Sequence, residues 1–111
     1  MGLDLYISQE CPHCGCSEGD EFNITHNLTT MADAAGLYHT LWRPEECGIK
    51  EAKDMVPRLE KGIELLKKHP EFYKGFNSSN GWGLYKHFVP FCEKVLDACK
   101  EYPNATVTAS R

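Results

Sequence analysis

Five side chains able to grip or protonate a ligand crowd into residues 26–43: His26, Asn27, His39, Trp42 and Arg43. His26 and Asn27 lie where a strand is expected to hand over to a helix. A helix start leaves backbone N–H groups unpaired and carries positive potential, so it attracts anions. An adjacent imidazole adds a hydrogen bond or a proton. The ordinary account is equally concrete: Thr25 or Asn27 caps the helix, and His26 is a partly buried polar residue. Arg43 is open to two readings as well. It can grip phosphate or carboxylate bidentately, with the Trp42 indole as a stacking surface, or it can pair with Glu45 or Glu46.

A third group lies in FNSSNGWGLY, residues 76–85. Asn77 and Asn80 suit turns and caps, and Trp82 can plug the core. Two asparagines, a tryptophan and a tyrosine in a glycine-flexed loop also make a ligand rim. The expected ligand-binding set is therefore His26, Asn27, Trp42, Arg43, Asn77, Asn80 and Trp82. No G-x-S-x-G, H-E-x-x-H or P-loop spacing occurs, so no catalytic residue is assigned. An enzyme reading would rest on His26 as acid or base.

The sharpest local motif is Cys11-Pro-His-Cys14-Gly-Cys16. Two thiolates three positions apart can hold one side of a tetrahedral zinc ion. The chain has no second CxxC, so the expected metal set is Cys11, Cys14, Cys16 and His26. His13 and Cys47 are further candidates, and free thiols in a turn are the plain alternative. A redox pair lacks the βαβ setting such pairs use. Cys92 and Cys99 lie seven apart, on one helix face, and read as small core hydrophobes.

The elements that must position these residues follow from periodicity. Residues 3–8 and 21–25 alternate as strands, and residues 105–110 are rich in β-branched residues. The simplest arrangement is an N-terminal hairpin over residues 1–25 with a Cys-rich turn, and the C-terminal strand added to one edge. Residues 26–102 are helical. A first helix starts near Asn27 and stops at Gly36. Short helical turns follow at residues 37–42 and again near 69–76. A long helix runs from about 50 to 69, with Met55, Leu59, Ile63 and Leu66 as its apolar stripe, and Pro57 kinks or divides it. The last helix spans about 84–102, with Phe88, Phe91, Cys92, Val95 and Cys99 inward and Pro90 inside. The expected fold is one α+β domain over 1–111: a small antiparallel sheet covered by two long helices and short helical turns.

Composition narrows the function classes. The chain has 111 residues, of which 41% are hydrophobic, and a net charge of −4. That excludes a disordered chain. No apolar run approaches the roughly 20 residues that span a bilayer. Residues 1–46 hold eight acidic residues and one basic, Arg43; residues 47–111 hold eleven basic and eight acidic. A general nucleic-acid binder carries a basic face, so that role is not expected. The opening MGLDLYISQE has no basic n-region, so no signal peptide is expected. A cytoplasmic setting follows, with reduced thiols. In that setting the Asn-x-Ser/Thr triplets at Asn23, Asn27, Asn77 and Asn104 are turn and cap chemistry rather than glycan sites.

NITHNLTTMADAAGLYHTLWRPEE, FNSSNGWGLY and CKEYPNATVTASR together resemble a family of small proteins from phages and phage-like elements of bacteria. The likeness covers most of the chain from Asn23 onward. It implies a bacterial cytoplasm and a role in host interaction, without implying a reaction. The expectation is a non-enzymatic accessory protein whose pocket binds a small anionic ligand such as a nucleotide signal. A host protein met through the acidic N-terminal region is the second expectation, and a nucleotide-processing enzyme using His26 the third.

Overall fold

The computed structural model describes residues 2–10, 17–77 and 84–110. Strand β1 (Gly2–Glu10) pairs antiparallel with β2 (Ser17–Thr25) on one side and with β3 (Thr106–Ser110) on the other. The sheet order is β2-β1-β3, the expected hairpin with the C-terminal strand added beside β1. Leu5 lies opposite Phe22 and Ala109, and Ile7 opposite Val107. Because directly opposed residues share a face, Leu3, Leu5, Ile7, Phe22, Ile24 and Val107 turn to the core together. Asp4, Tyr6, Glu21 and Asn23 turn to the other face, where the Asn23 amide donates to the Asp4 carboxylate.

The two sheet edges differ. Along β3, Ala52 N–H donates to Ala105 O at 2.9 Å, and Val107 N–H donates to Lys50 O at 3.1 Å. The chain before the third helix therefore closes that edge, with a bridge from Glu51 to Thr106. No backbone bond from another described segment reaches the outer edge of β2.

After β2 a 3-10 turn, His26–Leu28, leads into α1 (Thr29–Ala34). Gly36, at φ +75°, ends it as expected, a conformation that favours glycine. Then come α2 (Tyr38–Trp42), a 3-10 turn at Pro44–Cys47 and another at Ala52–Asp54. The first long helix, α3 (Val56–Lys68), begins later than residue 50. Pro57 occupies its first turn, where the missing N–H has no intrahelical partner to lose, so the expected long helix is two pieces. A short α4 (Pro70–Lys74) precedes α5 (Tyr85–Glu101), which keeps Pro90 in its interior.

The two long helices pack on each other, and α5 also packs against β2. Leu59, Ile63 and Leu66 of α3 and Phe88, Cys92, Val95 and Cys99 of α5 are buried with Leu3, Leu5 and Ile7 in one core. No helix among the described residues is long and apolar enough to cross a membrane.

Candidate functional site

The crossover from β2 to the helices gathers the first expected residues. Thr25 stays extended, and its hydroxyl accepts the Asn27 N–H at 3.3 Å. That bond caps the turn and holds His26 half-buried, facing α2. Trp42, 1% exposed, donates from Nε1 to His26 Nδ1 at 3.0 Å. An indole N–H can only donate, so Nδ1 is the acceptor and the neutral ring carries its proton on Nε2. Tyr38 stacks over Trp42, with ring centroids 6.0 Å apart and planes 16° from parallel. Its hydroxyl accepts from Arg43 Nε at 2.9 Å, and an Arg43 Nη donates to Glu46 at 2.8 Å.

His26, Trp42, Tyr38, Arg43 and Glu46 thus form one continuous chain of contacts. Hydrogen bonds to Tyr38 and then Glu46 hold the Arg43 guanidinium still more firmly protonated than usual. The cation already has its carboxylate, so the arrangement reads as a clamp across the Pro44–Cys47 turn. Cys47 Sγ approaches Pro44 O at 3.5 Å in the same turn. The Trp42 ring is covered by Tyr38 and offers no open stacking face on that side. Beside this chain lies an open cleft of ≈ 410 Å³ lined by Thr29, Thr30, Asp33, Tyr38 and His39. Its formal charge is the Asp33 carboxylate, which does not favour an anion.

The other expected residues fall elsewhere. Asn27 is exposed and contributes its backbone to the cap. Asn77 Oδ1 accepts the Tyr85 N–H at 2.8 Å and so caps the start of α5. Asn80, Trp82, Cys11, His13, Cys14 and Cys16 lie outside the described residues. Of the expected metal set only His26 is described, and its Nδ1 is engaged by Trp42. Among the described residues no three His, Cys, Asp or Glu side chains gather as metal ligands.

A second cavity lies where β2 runs beside α5. It has a volume of ≈ 530 Å³ and is lined by residues 21–24 of β2 and by Lys86, His87, Pro90, Phe91 and Lys94 of α5. The α5 residues fall at i, i+1, i+4, i+5 and i+8, one face of a helix. Phe22 and Phe91 meet edge to face, with centroids 6.2 Å apart, and make an apolar floor. Lys86, His87 and Lys94 are exposed around it, and none of them forms an ion pair among the described residues. Pro90 removes the N–H that would ordinarily close on the Lys86 carbonyl, adding polar character to the same wall. The groove therefore combines a hydrophobic base, two lysines against the single Glu21 carboxylate of its lining, and a β2 edge that no other described segment pairs with.

Sequence alone does not single out Lys86, His87 and Lys94. The available signal is a helix whose apolar stripe, at Phe88, Phe91 and Val95, is flanked by a basic stripe on one side. Its meaning depends on which strand is the edge. Comparison with protein-family models, curated proteins and solved structures yields no match, so the chemistry of these two sites carries the functional reading.

Proposed function

We propose that the protein works by binding, and that its ligand is an anion with an apolar portion held in the groove between β2 and α5. The observation that carries this reading is the pair Lys86 and Lys94, which form no ion pair among the described residues and outnumber the one carboxylate of the lining, Glu21, above the Phe22–Phe91 floor. Such cations lose little by meeting an anion, whereas Arg43 would first have to give up Glu46. The ligand class is the one the sequence calls for, and its seat is moved from the His26–Arg43 chain to the groove. A role among phage accessory proteins, which act on host components, agrees with binding as the mode of action.

A second reading has its own observation. The outer face of the sheet sets Asp4 and Glu21 around Tyr6, which is 37% exposed. Glu21, then burial, then Asp4 raise the Tyr6 phenol above its ordinary value. An acidic face centred on an exposed aromatic suits a basic surface on a partner protein.

Calorimetric titration with phenyl phosphate separates the sites. Saturable binding is expected, weakened about fivefold or more in Lys86→Ala/Lys94→Ala by loss of two charge contacts and unchanged in Arg43→Ala. Binding that survives the double substitution and disappears with Arg43→Ala would return the ligand to the His26–Arg43 chain.

A further inference from the structure

We infer that the natural occupant of the groove is an extended acidic polypeptide segment that adds to the sheet as a strand against the outer edge of β2. This rests on the groove being an anion site and goes further, naming the ligand as a peptide.

The edge itself is the first argument. β2 is nine residues long, and no other described segment pairs with its outer side, whereas β3 is closed by residues 50–52. An open strand edge is a template for another strand. The dimensions agree. Residues 21–24 span about 10 Å of extended chain, and Lys86 to Lys94 span about 12 Å of helix. A strand of about four residues laid along the outer edge of β2 matches both lengths.

The charges then set a side-chain pattern. Alternate residues of an added strand point to opposite faces. On the core side they meet Phe22, Ile24 and the α5 wall with Lys86, His87 and Lys94. On the outer side they meet Glu21 and Asn23, beyond which lie Tyr6 and Asp4. Acidic side chains are therefore favoured at every second position, facing α5, and disfavoured at the positions between, facing Glu21. A free phosphate or a disordered acidic tail would show no such alternation.

Three capped hexapeptides provide the test, read by the chemical shifts of backbone amides. One alternates threonine and glutamate; a second has the same composition in two blocks; the third is the alternating peptide N-methylated on every other residue, on the side that pairs. The alternating peptide is expected to bind at least fivefold tighter than either control, to slow amide exchange along residues 19–24, and to weaken in Lys86→Glu/Lys94→Glu. Both substituted positions are exposed, so an unchanged thermal melt is expected to confirm folding. Equal affinity for all three peptides, with phenyl phosphate still bound, overturns strand addition and leaves the anion site standing. If no peptide and no phenyl phosphate binds, the reading beneath falls as well. A protein that is dimeric without peptide, with the β2 amides protected, assigns the edge to a second copy and overturns the proposal.

Discussion

Trp42 hands its only polar hydrogen to His26, and that bond fixes how the chain leaves the sheet. Removing it by Trp42→Phe leaves the imidazole acceptor short of a partner in a half-buried position and opens space where the larger ring sat. The expected loss is about 2 kcal/mol, seen as a lowered urea midpoint with an unchanged slope. Arg43→Ala, which breaks a surface ion pair, is expected to lower the urea midpoint much less than Trp42→Phe does. Two buried thiols give a pH signature. Burial raises the Cys92 thiol far above its ordinary value and pushes Cys99 up to about 12 from 9.0. Below about pH 9 both are protonated whether folded or not, and their contribution is fully present. Above that, the unfolded chain loses protons that the folded chain keeps, so stability falls as pH rises toward 12. Urea midpoints from pH 8 to 11 should decline, and less steeply in Cys92→Ala/Cys99→Ala.

Among single residues, the Thr25 cap and the Arg43–Glu46 pair were both legible, because each partner lies within three positions along the chain. The Trp42–His26 bond spans 16 positions. It exists only because a 3-10 turn and α1 fold the chain back, which no local spacing encodes.

Among the elements, two prolines in similar apolar patterns have different consequences. Pro57 sits where a helix can begin, so it sets the start of α3. Pro90 sits in the interior of α5, and the helix continues through it because Phe88, Phe91, Cys92 and Val95 are held in the core on both sides. Gly62 is the tight point of α3: a Cβ there would come within 2.5 Å of the Leu37 side chain. Gly62→Ala gains about 1 kcal/mol in helix propensity but overpacks the contact, at a cost of about 1–3 kcal/mol. A net fall in thermal stability is expected, and a rise would show that Leu37 moves aside freely. Strand and helix positions were readable because the period-2 and period-3.6 patterns are strong in β1, α3 and α5. The start of α3 was not, since residues 50–54 carry polar spacing compatible with helix yet are recruited to close the edge of β3.

At the scale of the whole molecule, the charge asymmetry of the sequence becomes a spatial one. The outer sheet face is acidic at Asp4 and Glu21, while Lys86, His87 and Lys94 stand along the α5 side of β2. The α+β architecture was legible from alternation, capping and the C-terminal β-branched run. The groove was not, because it is made by residues more than 60 positions apart and depends on sheet order. That order makes β2 and β3 the two edges, and residues 50–52 close β3 while no other described segment pairs with β2. The direct measurement is an amide chemical-shift map of the protein titrated with phenyl phosphate. The account predicts the largest movements at residues 21–24 and 86–94, saturating together. Largest movements at His26, Tyr38, His39, Trp42 and Arg43, with residues 86–94 still, would contradict it.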